Sequence, residues 1–447
     1  MIPFPASLPG PSDPDSPAEA HTPIVFVHGN GDSGALWHTT VWRYESNGWP
    51  RHLLHAIDMP YPLAREDDEQ PEPGRSSTAE HMRHLAAEVD AVLRATGAHQ
   101  VALVANSRGG YAVRNYIANG GGAARVTHAV LGGTPNHGVW ALSAIRPGSE
   151  FNGAGPFLMA LNKANQFGLE VTPGVAWLTL RSDHNDKHAQ PTGDLMGFPG
   201  VPTNVDHDGP ALRGAINLVL AGVDHRETSF CAEAFAQTFH FIQGRAPATL
   251  DIVPEPHPRL DGRVFGRGVD NLKGMVASNL PLVGASVEVY ATHADTGQRL
   301  GPAVHRRTVD TSGHWGPFEA EPGQAYEFVV TAEGYAVTHV YRSPFPRSSS
   351  LVHLQAERPP EDTASALSTV TLSRPRGYFD RGRDHISLDG ESPPPGVPAG
   401  VATASTAHAR ITDVPGRTVV GEFNGERIAG LAWPAADGHV VTLELHH

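Results

Sequence analysis

The sequence predicts an α/β protein in which a doubly wound, mostly parallel sheet is followed by all-β domains, at least one of them a sandwich. Three observations lead to this prediction. Up to about residue 244, short apolar runs alternate with helical patterns, which is typical of parallel βαβ units. After a proline-rich stretch at residues 251–258, apolar and polar residues alternate between turn signals, as in antiparallel sandwiches. The length of 447 residues also exceeds what one core usually organises.

Six apolar runs in the first part are predicted to form the strands of the parallel sheet. The best-marked helix spans residues 77–96, where Ser77 and Glu80 match a capping box and Gly97 supplies the stop. Apolar residues recur along it at helical spacing, so one face is expected to pack on the sheet. The six predicted strands are residues 24–27, 53–57, 101–104, 127–131, 176–180 and 216–220.

The changes in residue pattern along the chain predict four segments: a flexible N-terminal segment at 1–22, an α/β domain at 23–247, a β-sandwich domain at 259–356 and a small β domain at 363–447. The first segment is rich in Pro, Ser, Ala and acids and lacks the basic and apolar regions of a signal peptide. The chain is therefore expected to be secreted if a signal was removed and cytoplasmic otherwise. No run of about 18 apolar residues occurs, so no membrane span is predicted.

The composition excludes some classes of function. A formal net charge of -14 argues against a nucleic-acid partner. A single cysteine, Cys231, rules out an intramolecular disulfide and lies on an apolar helical stripe, so we expect it in the core. The 26 histidines are scattered, and no metal is expected. One loop offers an alternative metal site if it folds upon itself, with the candidate ligands Asp183, His184, Asp186 and His188.

A strand that runs into a small-x-Ser-x-Gly turn predicts a nucleophile at Ser107. The turn forces the serine into strained backbone geometry, so small residues are needed two positions before and after it. Ala105 and Gly109 meet this need, although glycine is more usual at the first position. The alternative is an ordinary serine in a βα loop.

The loop after the first predicted strand is expected to serve the oxyanion of an acyl-transfer reaction. It contains His28 and Gly29, and we assign the oxyanion donors to the backbone amides of Asn30 and Arg108. One missing donor costs about 3 kcal/mol of transition-state stabilisation. His28 is expected to orient the loop and to take no proton.

A serine nucleophile needs a histidine base and a carboxylate that orients it. Downstream strands should end in these groups, because active sites of open parallel sheets lie at the carboxyl ends of the strands. The strand at 176–180 leads to Asp183 and Asp186, of which Asp186 is favoured; Asp206 and Asp208 are more distant alternatives. His225 follows the last strand and is the predicted base.

With these positions fixed, the first part resembles lipases of the α/β-hydrolase family and extracellular polyhydroxybutyrate depolymerases. Residues 25–32 are similar to the depolymerase oxyanion loop, and residues 178–187 to its acid loop, which favours Asp186. Residues 133–138, Gly-Thr-Pro-Asn-His-Gly, resemble a stretch found in many lipases. The resemblance implies that Thr134 and His137 line the substrate pocket, and His28 and Gly29 are predicted to line it as well.

The later part of the chain extends the resemblance. Residues 235–254 are similar to an archaeal lipase that also carries a C-terminal β domain, and residues 280–355 look like the small prealbumin-like sandwiches of secreted enzymes. Two long insertions, at 139–172 and 188–213, suit a lid or an acyl-chain wall, or are plain surface excursions.

The predicted function is cofactor-free hydrolysis of carboxylic esters through an acyl-enzyme intermediate, as in a lipase or esterase. The expected partner is a lipid or other apolar ester, in solution or at an interface. One alternative is a polyester depolymerase of polyhydroxyalkanoate type whose β domains bind the polymer. An alternative of another class is a non-catalytic binding module.

Overall fold

The computed structural model describes residues 21–271, 274–358 and 366–447. Almost all of the predicted N-terminal segment, residues 1–22, and most of residues 357–362, between the two predicted β domains, lie outside these ranges.

The first part contains a six-stranded sheet in which every neighbouring pair is parallel. Its order, β2-β1-β3-β4-β5-β6, places β1 between the second and third strands, so the chain winds outward from β1 in both directions. The prediction of a doubly wound parallel sheet is confirmed. The strands are β1 (Ile24–Val27), β2 (Leu54–Ala56), β3 (Val101–Asn106), β4 (Val126–Gly132), β5 (Ala176–Ser182) and β6 (Ile216–Leu220).

Helices cover both faces of this sheet. Leu85 and Val89 of the second helix and Val113 of the third pack in the core on one face. Tyr44 of the first helix and Phe235 of the last pack in the core on the other face. The helices are α1 (His38–Ser46), α2 (Thr78–Thr96), α3 (Arg108–Asn119), α4 (Pro156–Leu161), α5 (Glu227–Phe230) and α6 (Ala232–Gln243).

The capping box predicted for α2 is present. Ser77 Oγ accepts a hydrogen bond from the Glu80 amide at 3.2 Å, and the Glu80 carboxylate accepts one from the Ser77 amide at 2.7 Å. Gly97 ends the helix with a φ of 71°, a left-handed conformation that glycine adopts at little cost.

The β region holds a seven-stranded sheet of order β12-β11-β14-β15-β22-β17-β19 and several smaller sheets. The strands are β7 (Arg259–Leu260), β8 (Val264–Gly266), β9 (Val269–Asn271), β10 (Gly274–Val276), β11 (Ser286–Thr292), β12 (His305–Thr308), β13 (Phe318–Glu319), β14 (Ala325–Thr331), β15 (Val337–Arg342), β16 (Leu354–Ala356), β17 (Ser368–Ser373), β18 (Ile386–Leu388), β19 (Thr406–Ile411), β20 (Thr418–Phe423), β21 (Glu426–Leu431) and β22 (His439–Glu444).

The two predicted β domains share this large sheet. Its strand β15 comes from the first of them and pairs in parallel with β22, the last strand of the chain, with Val340 opposite Thr442. Each part nevertheless has its own core, one around Trp315 and one around Phe379. The domain limits stay predictions, but the two β units are joined by a continuous hydrogen-bonded sheet.

Among the helices of the described ranges, none has both the length and the apolar character that crossing a membrane requires.

Candidate active site

Ser107 occupies the sharp turn between β3 and α3. Its φ of 52° and ψ of -125° are strained for a residue with a side chain. The turn needs small neighbours because the chain passes close to the oxyanion loop. A Cβ on Gly109 would lie 2.6 Å from the His28 carbonyl oxygen, and a Cβ on Gly29 would lie 3.0 Å from Ser107 Cβ. The backbone therefore has the geometry expected of a nucleophile elbow.

His225 and Asp186 form a buried hydrogen-bonded pair. His225 Nδ1 donates to Asp186 Oδ2 over 2.8 Å, and Asp186 Oδ1 accepts the His188 amide at 2.7 Å. Burial acts to raise the pKa of Asp186, but the His225 imidazole and the hydrogen bonds outweigh it and hold the pKa below its usual range. An ionised carboxylate thus fixes the tautomer in which Nε2 of His225 is free to accept a proton.

His188 lies beside this pair, with its ring centroid 4.3 Å from that of His225 and the two ring planes tilted by 54°. Burial, reinforced by the His225 imidazole, places the pKa of His188 well below its usual value. His188 is therefore neutral at pH 7 and does not oppose a positive charge on His225.

The structure does not bring the alternative acid, Asp183, to His225. Its carboxylate accepts the amides of Gly222 at 2.8 Å and Asn185 at 3.1 Å, and so ties the end of β5 to the end of β6. Asp206 accepts the amides of Asp208 at 2.9 Å and Gly209 at 3.1 Å within its own turn. Of the acids considered from sequence, Asp186 is the one bonded to His225.

The candidate metal ligands in the loop after β5 are engaged in other contacts. Asp186 is engaged by His225, and Asp183 is engaged by backbone amides. In the ranges that the structure describes, no three or more His, Cys, Asp or Glu side chains are grouped so that they could hold a metal ion.

Ser107 and His225 line one cavity of about 360 Å³, together with Asn30. Its apolar wall comes from both long insertions, with Val139, Trp140 and Phe151 from the first and Met196 from the second. The cavity also has a polar part, lined by Asp32, Arg146, Lys187, Arg226 and Tyr378.

The two predicted oxyanion residues flank the nucleophile. Asn30 lines the cavity, and its side chain accepts the Ala64 amide at 2.7 Å, which fixes the loop. Gly31 next to it donates its amide to the Pro62 carbonyl at 3.2 Å. Arg108 follows Ser107 directly and is the first residue of α3, so its amide belongs to the positive end of the helix dipole.

The Arg108 side chain is fully buried and is anchored away from solvent. Its guanidinium forms a fork with Glu150, with N–O distances of 2.6 and 2.8 Å. The remaining donors reach the Pro62 carbonyl at 3.1 Å, Ser76 Oγ at 2.9 Å and the Ser76 carbonyl at 2.7 Å. Arg108 thus links the elbow, the segment that supports the oxyanion loop and the first insertion.

Two of the four predicted pocket residues instead support the elbow from beneath. His28 is buried, and its Nε2 accepts the Met59 amide at 3.0 Å. Gly29 packs against Asn106 and Ser107. Neither is among the residues that line the 360 Å³ cavity, and the orienting role expected for His28 agrees with this placement.

The other two, Thr134 and His137, lie beside a separate cavity of about 50 Å³. Thr134 Oγ1 donates to the Ser107 carbonyl at 3.0 Å, and His137 Nε2 lies 3.2 Å from Glu170 Oε1. None of these four residues lines the cavity that contains Ser107 and His225, although the 50 Å³ cavity beside Thr134 and His137 is also lined by Asp186, so their pocket role stays a prediction.

The C-terminal β region contributes directly to the site, which the sequence did not predict. Tyr378 lines the cavity, and its ring lies 3.9 Å from Lys187 Nζ. Asn279, from the first β unit, donates to the Asp32 carbonyl at 2.8 Å and so braces the oxyanion loop. The position of Lys187 at the site could have been predicted, because it follows Asp186 in the sequence. No sequence pattern around Tyr378 indicates that it reaches the site.

Arg374 ties the last β unit to the loop that carries His225. It is buried and pairs with Asp224 at 2.9 Å and with Glu227 at 2.5 Å, on either side of His225. Burial and the charge of Glu227 raise the pKa of Asp224 to about 6, and the Arg374 guanidinium opposes this rise.

Replacing Arg374 by methionine should lower the free energy of unfolding by about 3–5 kcal/mol, because it leaves the buried Asp224 carboxylate without its cation, whereas Glu227 keeps its ion pair with Arg383 at 2.6 Å. Urea unfolding followed by tryptophan fluorescence measures the loss. Arg381→Met, at an exposed arginine of the same segment, is the matched control and should change stability by less than about 0.5 kcal/mol. Equal losses in the two variants would contradict the bridging role.

Fold and site together define a hydrolase of the α/β class. Residues 21–162 match the family model described as lipase (class 2), and residues 257–359 match the model described as lipase C-terminal domain. The two matched ranges leave out residues 163–256 and 360–447, and they assign the protein to a lipase/esterase family of ester hydrolases.

Three solved structures that match this chain have low sequence identity to it and low TM-scores. Bacillus licheniformis lipase BlEst2 in its propeptide form is 14% identical, with 71% of this chain and 90% of that chain covered and a TM-score of 0.36. Paleococcus ferrophilus monoacylglycerol lipase is 12% identical, with 50% and 96% covered and a TM-score of 0.32. Bacillus subtilis carboxylesterase CesB is 14% identical, with 51% and 86% covered and a TM-score of 0.28.

Proposed function

We propose that this protein hydrolyses carboxylic esters with Ser107 as nucleophile, His225 as general base and Asp186 as the acid that orients the base. The observation that carries the proposal is the buried 2.8 Å hydrogen bond between Asp186 and His225. His225 lines the same cavity as Ser107. The bond occupies Nδ1 of the imidazole and leaves Nε2 for the serine proton.

The reaction has two halves. Ser107 Oγ attacks the ester carbon while His225 Nε2 takes the hydroxyl proton, and the amides of Asn30 and Arg108 receive the oxyanion. The C–O bond then breaks, and the imidazolium gives its proton to the departing alcohol. Water attacks the acyl-enzyme in the same way and releases the carboxylic acid and free Ser107.

The substrate class we propose is an ester with an apolar acyl part, such as a lipid ester. The apolar wall of the cavity, formed by Val139, Trp140, Phe151 and Met196, supports this choice. Transfer of apolar acyl surface from water to such a wall contributes about 25 cal/mol per Å². No cofactor enters the reaction, because the imidazole supplies the general base and the backbone amides supply the electrostatic stabilisation.

A fluorophosphonate probe tests the nucleophile. The probe should phosphonylate the wild-type protein at a single site, because its tetrahedral adduct mimics the first intermediate. Trypsin releases the labelled serine in the peptide of residues 95–108, in which Ser107 is the only serine. Mass spectrometry of this peptide gives the position of the label.

His225→Ala is the control for that experiment and should slow labelling by about 10²-fold or more, since the serine loses its base. A label on another residue would contradict the assignment of Ser107. Absence of any label would favour the non-catalytic binding module.

A further inference from the structure

The cavity beside Ser107 carries positive charge in a protein that is negative as a whole. Three cationic side chains line it, Arg146, Lys187 and Arg226, against one carboxylate, Asp32. The chain has a formal net charge of -14, so this concentration of cations runs against its overall composition. Cations grouped in a cleft attract anionic ligands.

The three cations differ in their ion pairing. Arg226 is paired with Asp32 at 2.6 Å. Within the described ranges, neither Lys187 nor Arg146 forms a salt bridge. Burial, reinforced by the Arg226 charge, lowers the pKa of Lys187 to about 8, so at pH 7 it is still mostly an ammonium ion.

The Lys187 ammonium is held in place by an aromatic face. Its nitrogen lies 3.9 Å from the centroid of the Tyr378 ring, and the guanidinium carbon of Arg226 lies 5.0 Å from the same centroid. A cation–π contact fixes the position of the charge and leaves its hydrogen-bond donors for a ligand. The carboxylates that act on Lys187, namely Asp186, Asp224 and Asp32, already accept hydrogen bonds from other groups.

We propose that Lys187, seated on the Tyr378 ring, binds an anionic group of the substrate. The site then selects esters that combine an apolar chain, taken by the Trp140 and Phe151 wall, with a carboxylate or phosphate taken by Lys187. This inference rests on the proposed ester hydrolysis and adds the substrate class. The shared chemistry is an anion, carried on either the acyl or the alcohol side of the ester bond.

Matched pairs of neutral and anionic esters test this inference in the full chain. For the acyl side the pair is 4-nitrophenyl butyrate and 4-nitrophenyl hydrogen glutarate. For the alcohol side it is phenyl butyrate and 4-butyryloxybenzoate. The measured quantity is the selectivity ratio, kcat/KM of the anionic ester divided by kcat/KM of the neutral one. Comparing this ratio between variants cancels the intrinsic reactivity of each ester.

Lys187→Met should lower the selectivity ratio about tenfold or more in at least one pair, since a hydrogen bond to a charged group is lost. The pair that responds identifies the side of the ester that carries the anion. Lys187→Arg keeps the charge and should restore most of the ratio. Lys163→Met, at an exposed lysine outside the cavity, should leave the ratio unchanged.

The pH dependence gives a second readout. The wild-type ratio should fall between about pH 7 and about pH 9, because Lys187 loses its proton as pH rises through about 8, whereas the Lys187→Arg ratio stays flat. A ratio that is unchanged in Lys187→Met for both pairs overturns the inference while hydrolysis of the neutral esters stands. Failure of the wild-type protein to hydrolyse any of the esters overturns the proposed function itself, and this inference with it.

Discussion

Ser107→Ala should lower kcat/KM for 4-nitrophenyl butyrate by at least about 10⁴-fold. The change removes the oxygen that forms the acyl-enzyme, and loss of the nucleophile in serine hydrolases removes nearly all catalysis beyond that of the oxyanion site. The fold should be unaffected, since alanine fits wherever serine does and the elbow turn keeps the same strained φ of 52°. Ester turnover and the thermal midpoint of the purified variant are the two measurements.

The matched control for this prediction is Ser312→Ala, at an exposed serine of the β region. It should retain wild-type turnover within about a factor of two, because surface changes away from a site have small effects. If Ser107→Ala kept a tenth or more of the wild-type activity, Ser107 would not be the nucleophile.

Asp186→Asn should reduce kcat by about 10⁴-fold, with little change in KM. An amide at this position can present its NH₂ group to Nδ1 and stabilise the wrong imidazole tautomer, which removes the base without disturbing the geometry. The negative charge that stabilises the imidazolium is also lost. Steady-state kinetics with 4-nitrophenyl butyrate separates the effect on kcat from the effect on KM.

Asp183→Asn provides the comparison, since it makes the same chemical change three residues away. Its carboxylate accepts the Gly222 and Asn185 amides and holds two strand ends together, so we expect a loss of less than about 10²-fold. The reverse ranking of the two variants would transfer the acid role to Asp183.

The cysteine and the two long insertions show what local sequence patterns can and cannot predict. Cys231 was expected in a core, and it packs against the core that contains Phe235. For the two insertions, the sequence left undecided whether they form a lid or an acyl-chain wall or are plain surface excursions. Residues of both line the cavity, but which residues do so depends on how each loop folds back, and no periodic pattern encodes that path.

Because the C-terminal region contributes to the site, removing it would affect more than binding to a polymer. A chain that ended near Gly244 would lose Tyr378 from the cavity and Arg374 from the His225 loop. Loss of activity on soluble esters would then follow from an incomplete site. Discrimination between a lipase and a polyester depolymerase therefore requires the full chain.

What the sequence by itself determined is the local and ordered part of this protein. The six parallel strands, the capped helix α2 and the turn at Ser107 each follow from the spacing of residues within one short segment. Asp186 and His225 could be placed near Ser107 because carboxyl ends of parallel strands meet at one edge of a sheet.

What only the tertiary structure decided is where side chains go once distant segments meet. Sequence placed His28, Thr134 and His137 in the pocket, whereas none of the three lines the Ser107 cavity. His28 is bonded to the Met59 amide, Thr134 to the Ser107 carbonyl, and His137 lies beside Glu170. Arg108 stood next to the nucleophile in sequence, yet its side chain is anchored on Glu150. The physical reason is that a buried polar group takes whichever partner the whole fold brings within hydrogen-bond distance, and that partner is unrelated to its neighbours in sequence.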